Sequence, residues 1–257
     1  MFDFMTNTPN NTPSNTGQLN PLDGLRVAIT GGTSGLGLAL VRQLSDHGAS
    51  VAFVARTQRD VDQVSSETGA AGIVGDVGDK ADIHPIALQI NGNLGGLDVL
   101  INNASSLGPV PLSLLADTDC EDLETALQVN VLGAFRLTKA LFGALASSAR
   151  QGTTAIVVNI TSDAAVNAYP EWGAYGASKA ALQHMTHIWA EEARDVSISF
   201  VAIDPGDMDT PLHALADPTA DPASLKAPSD AAAEVIEAIA AERSVEPAAT
   251  ASIGVAS

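Results

Sequence analysis

Tyr175 stands four residues before Lys179 in the alanine-rich stretch AYGASKAAL, 174–182. On a helix that spacing puts a phenol and an ammonium one turn apart on one face. The pair can be a solvated surface contact, or the ammonium can favour the phenolate so that the phenol passes a proton near neutral pH. Tyrosine ordinarily ionises near pH 10, so work at pH 7 asks for about three units, roughly 4 kcal/mol. A second cluster is TGGTSGLG, 30–37, where Gly31, Gly35 and Gly37 separate an apolar run from a helical pattern. Glycines there permit a tight turn and close backbone approach, and the free N–H groups opening the helix suit phosphates. That placement points to a dinucleotide.

Holding these groups together is the task of an alternating frame. Apolar strand patterns lie at 25–30, 50–56, 71–77, 97–104, 154–160 and 197–205. Helical patterns lie at 37–49, 58–67, 79–91, 119–149, 173–194 and 229–243. Strands that are apolar throughout and alternate with helices predict a parallel sheet covered on both faces. Right-handed crossovers then give a single doubly wound α/β domain with ligands at the carboxyl ends of the strands. The Asn-, Thr- and Pro-rich residues 1–22 read as a disordered tail, 23–257 as the domain, and 211–228 as a loop over the substrate.

Composition narrows the function. The formal charge is −18, from 12 basic and 30 acidic residues, which repels nucleic acid and anionic membranes. The longest apolar runs are strand-length, and no basic segment precedes an apolar one at the start, so neither a membrane span nor a signal peptide is expected. Cys120 is the single cysteine, which rules out an internal disulfide and suits the cytoplasm. His47, His84, His184, His187 and His213 are scattered without metal-ligand spacing, so no metal is expected. Tyr169, Trp172 and Met185 either line a pocket or pack.

Six pieces in order resemble the short-chain dehydrogenase/reductase family over about 25–240: TGGTSGLG, NNAS at 102–105, Asn130 in QVNVLGAF, Ser162 in NITSD, YGASK, and PGDMDT at 205–210. Ser162 precedes Tyr175 by 13 residues, as in that family. NNAS replaces the family's NNAG, and the C-terminal ATASIGVAS lacks its terminal DGG. The resemblance implies a Rossmann-type fold and an enzyme interconverting a secondary alcohol and a ketone or aldehyde with a nicotinamide cofactor. Tyr175 is then the proton donor or acceptor, helped by Lys179 and by the positive nicotinamide of the oxidised complex. Ser162 orients the reacting oxygen, Lys179 also holds the nicotinamide ribose, and Asn130 anchors a water that links Lys179 to solvent. The implied cofactor contacts are Gly31, Thr33, Ser34, Gly35, Leu36, Gly37, Arg56, Asp76, Val77, Asn103, Ala104, Tyr175, Lys179, Pro205, Gly206, Met208 and Thr210.

The end of the second strand, VAFVARTQRD, predicts the cofactor. Ala55 occupies the place where an NAD-selective carboxylate would sit, and Arg56 follows, with Arg59 close behind. A guanidinium matches a ribose 2′-phosphate, so NADP is expected over NAD. Apolar residues on more than one face of the two long helices, such as Leu132, Phe135, Leu141, Leu182 and Ile188, predict a homodimer or homotetramer. The rival reading is a cofactor-binding regulator or scaffold of the same fold without turnover.

Overall fold

The computed structural model describes residues 22–152 and 154–244. The expected tail lies outside these residues up to position 21, and so does ATASIGVAS, whereas Leu22 is already buried in the core. Six short strands rich in Val, Ile and Ala form one parallel sheet: β1 (Arg26–Thr30), β2 (Ser50–Ala55), β3 (Ala71–Val74), β4 (Val99–Asn102), β5 (Ala155–Ile160) and β6 (Ile198–Ile203). Their order is β3-β2-β1-β4-β5-β6. The chain therefore winds outward one way from β1 and the other way from β4, opening a crevice at the carboxyl ends between them.

Both faces of the sheet are dry, as the unbroken apolar strands predict. Val27, Ile29, Phe53, Ile101, Ile156 and Val158 point into one core. Their alternating neighbours Ala28, Val54, Leu100 and Val157 point into the other. The first core is covered by α1 (Gly35–Asp46), α2 (Gln58–Thr68) and α8 (Pro228–Ser244). The second is covered by α3 (Ile83–Leu94), α5 (Ala134–Arg150) and α6 (Gly173–Glu192). At the amino edge Arg26 grips Asp98 with Nε–Oδ2 at 2.9 Å and Nη2–Oδ1 at 2.6 Å, and also reaches Ser148 Oγ at 2.8 Å. The guanidinium holds the Asp98 carboxyl below the usual range, overcoming the burial that would raise it.

Three elements depart from the sequence expectation. The third helix begins at Ile83 rather than 79 because aspartates take up the backbone first. Asp76 Oδ1 accepts from Gly78 N and Asp79 Oδ1 from Ala81 N, each at 2.8 Å, giving turns that compete with helix. The long helix expected at 119–149 is two helices, α4 (Cys120–Leu127) and α5, joined by a π-helical segment, Gln128–Gly133. By length and composition 120–150 could cross a membrane, yet Leu137, Leu141 and Leu145 of that stretch are fully buried against the sheet. The expected substrate loop contains a helix, α7 (Pro211–Ala216), begun by Pro211 and capped by Thr210 Oγ1, which accepts from His213 N at 3.1 Å. Both ends of this excursion are tied together, since Lys226 N donates to Asp207 O at 2.9 Å and Asp209 N to Lys226 O at 3.0 Å.

Candidate active site

The glycine turn between β1 and α1 is braced from two sides. Gly31 N and Gly32 N donate to Val54 O at 2.8 and 3.2 Å. From the other side Asn103 Nδ2 donates to Thr30 O at 2.9 Å, while Thr30 Oγ1 accepts from both Asn103 N and Ala104 N at 3.0 Å. Gly31 has φ 72°, in the left-handed region, and a Cβ at Gly37 would overlap the Gly31 carbonyl oxygen. Ser34 precedes α1 without a side-chain cap, leaving the first N–H groups of the helix available to a ligand. The turn opens into a cleft of about 660 Å³ that runs along the carboxyl edge of the sheet. A cradle shaped by missing side chains, a helix N-terminus and this volume fit a dinucleotide.

Tyr175, Ser162 and Lys179 meet further along the same cleft. Ser162 follows β5 and its Oγ caps the next turn, accepting from Ala164 N at 3.2 Å. The Ser162 and Ser105 hydroxyls lie near enough to the Tyr175 phenol to favour its ionised form. Lys179 is fully buried, donates from Nζ to Ile160 O at 2.8 Å, and lies 5.5 Å from the centre of the Tyr175 ring. Burial pushes the lysine down to about 8, partly opposed by the negative charge of Asp204. Burial also pushes the Tyr175 phenol up to about 12, against the lowering effect of the two serines. Desolvation outweighs the lowering effect of the two serines, and the ammonium is engaged by a backbone carbonyl.

Asn130 sits in the π-helical segment, which turns its amide towards the loop after β4. Its Nδ2 donates to Ser106 O at 2.8 Å and Ser178 Oγ at 2.7 Å. Its Oδ1 accepts from Ser106 N at 2.7 Å and Ser105 Oγ at 3.2 Å. Protein groups thus occupy every hydrogen-bonding position of the amide. The amide braces the loop.

A family model described as short chain dehydrogenase matches residues 26–221. The chain belongs to the short-chain dehydrogenase/reductase family. An uncharacterized oxidoreductase of Mycobacterium tuberculosis is 31% identical over 194 residues, covering 72% of this chain and 55% of that protein. The match therefore spans about half the length of this relative. Benzil reductase ((S)-benzoin forming) of Saccharomyces cerevisiae is 31% identical over 194 residues, covering 73% of each. A 3-ketoacyl-(acyl-carrier-protein) reductase from Brucella melitensis, solved with NADH, superposes with a TM-score of 0.78 at 26% identity over 84% of this chain and 90% of that one. A short chain dehydrogenase from Burkholderia cenocepacia, solved with NADP, gives 0.75 at 26% identity over 89% and 96%.

In this short-chain dehydrogenase/reductase the cleft is lined by every residue expected of the site except Gly37, which shapes the turn from behind, and Asn130. Arg56 is exposed on its wall, but Arg59 is not part of the lining. Asp60, one helical turn past Arg56, lines the same wall and was not legible as a site residue. Ser105 was legible only as a departure from NNAG, and its hydroxyl contact with the phenol depends on how the loop folds. Leu107 and Asp204 also line the cleft without any motif to announce them, and Asp207 of PGDMDT lines it too. Among the described residues no group of three or more His, Cys, Asp or Glu side chains could hold a metal ion.

Proposed function

We propose that the protein is an NADP(H)-dependent reductase of a ketone or aldehyde, working in the cytoplasm as a homodimer or homotetramer. The observation that carries this reading is a single one: a buried phenol shares the cleft with Ser162 and stands one helical turn before a buried lysine. When bound, the nicotinamide supplies a hydride to the carbonyl carbon. Tyr175 gives its proton to the carbonyl oxygen, and the Ser162 hydroxyl holds that oxygen in place as negative charge develops. A phenol pushed up to about 12 is protonated throughout the neutral range and so holds the proton that reduction needs. Lys179, at about 8, is largely charged at pH 7, and its position suits the ribose hydroxyls.

Arg56 supports NADP over NAD, because its guanidinium is exposed on the cleft wall just past β2 and the strand ends on Ala55 rather than on a carboxylate, the nearest acid of that wall being Asp60 in α2. The yeast relative's name describes reduction of a carbonyl compound to an alcohol, and the Burkholderia structure holds NADP. Cys120 is exposed and unpaired, as suits a reducing compartment. A panel of ketones, aldehydes and secondary alcohols, followed by the absorbance of NADPH or by reduction of NADP, tests the reading. NADPH binding with no turnover of any panel member would favour the regulator or scaffold instead.

A further inference from the structure

The part of the cleft next to Tyr175 differs in character from the part next to Arg56. Arg56 follows β2 and Ser162 follows β5, and these strands are separated by β1 and β4. At ~4.8 Å between neighbouring strands the two ends lie roughly 14 Å apart. The far end therefore has its own surroundings, set by three segments that are distant in sequence.

Those surroundings are apolar and acidic. Leu107 and Tyr175 are buried together in a small cluster separate from the two main cores, with Trp172, Leu212 and Ala216 packed against it. Trp172 meets Tyr175 edge-on, with ring centres 5.7 Å apart. Val110 and Leu215, both about half exposed, continue the apolar lining to the mouth. Asp204 and Asp207 line the cleft here, and Asp163 stands next to Ser162. The negative charges of Asp204 and Asp163 both reach the Tyr175 phenol.

Cations offer no balance. Lys179 is fully buried and held by the Ile160 carbonyl. Lys226 turns to Pro205 O at 3.0 Å and Glu234 at 2.7 Å and is not part of the lining. His213 is the remaining basic side chain at this end.

We propose that the substrate is an uncharged carbonyl compound with a bulky apolar substituent, an aryl or branched-alkyl ketone, and that carbonyl compounds bearing a carboxylate or phosphate are rejected. This rests on the reductase reading above. The apolar group lies between Leu107, Trp172 and α7, which removes it from water, while its carbonyl meets Tyr175 and Ser162. An anionic group placed beside the apolar one faces like charges from Asp204 and Asp207 with no guanidinium or free ammonium to neutralise it.

The test compares propiophenone with its para-carboxylate, and both with dihydroxyacetone, using the full chain and NADPH. The neutral aryl ketone is expected to exceed the carboxylate in kcat/KM by about tenfold or more, with the gap narrowing as salt rises and in Asp207→Asn. Equal or better use of the carboxylate, or preference for dihydroxyacetone, overturns the proposal. Binding is read separately by quenching of Trp172 fluorescence, with Trp172→Phe as the control that removes the signal. If NADPH binds and nothing turns over, the reductase reading fails. The quenching then decides the present inference alone: saturation by propiophenone but not by its carboxylate sustains it, and the reverse or no binding of either overturns it.

Discussion

Tyr175→Phe keeps the ring against Trp172 and removes only the hydroxyl. Turnover is expected to fall by at least about a hundredfold with folding and NADPH affinity retained, which steady-state kinetics and a binding titration check together. Lys179→Met separates function from stability. The lysine is pushed from its ordinary 10.5 to about 8, so below pH 8 both folded and unfolded chains carry its charge and the folded one bears the full burial penalty. Between those values the unfolded chain holds a proton that the folded chain has released, so this group makes stability rise with pH across that window. Tyr175 acts the other way between 10 and 12, where the folded chain keeps the proton. The methionine variant is therefore expected to gain about 1–3 kcal/mol at pH 7 while losing turnover and cofactor affinity, as denaturant melts and cofactor titration would read. Arg56→Ala is expected to weaken NADPH by roughly 1.5–3 kcal/mol and leave NADH nearly unchanged, and tighter NADH than NADPH in the unaltered protein would overturn the NADP assignment.

At the scale of elements, the active-site loop depends on the π-helical segment between α4 and α5. Its extra residue per turn interrupts the regular helix and presents Asn130 to Ser105, Ser106 and Ser178. Asn130→Ala strands the Ser106 backbone groups and the Ser178 hydroxyl contact in a part-buried setting. The expected cost is about 2–4 kcal/mol of stability, because each unsatisfied buried group costs roughly 1–3 kcal/mol. Ser105 then loses a partner, and kcat falls with it more than the apparent NADPH affinity does. Urea denaturation together with kcat and the NADPH dissociation constant tests this; a variant that keeps full stability would remove Asn130 as the brace.

For the whole molecule, the outer faces of the two long helical stretches matter most. Of the apolar residues expected on more than one face, Leu141 and Leu182 are buried in the subunit's own core. Phe135 leans on Trp189 with ring centres 6.1 Å apart, while Leu132 and Ile188 remain exposed at 37% and 46%. These last residues keep an apolar outer face on which copies can pair. Light scattering is expected to give a multiple of 26.2 kDa, and a monomer at micromolar concentration would refute the assembly. With a charge of −18 on each chain, association should strengthen as salt screens the repulsion.

Much of the fold and the site was legible because it is carried by local pattern. Strands buried on both faces must be apolar throughout, so the six-strand alternation reads directly from runs such as AIVVNI. Gly31 and Gly37 are dictated by backbone geometry, and Tyr175 and Lys179 by helical spacing, so their types and intervals survive in one dimension. What stayed hidden depends on segments far apart in the chain. Asp60, Asp204 and Leu107 carry no motif, and only the folded sheet edge places them in the cleft. The burial of the Tyr175 phenol was also hidden: helical spacing supplies a nearby ammonium but cannot express desolvation, which pushes the phenol up.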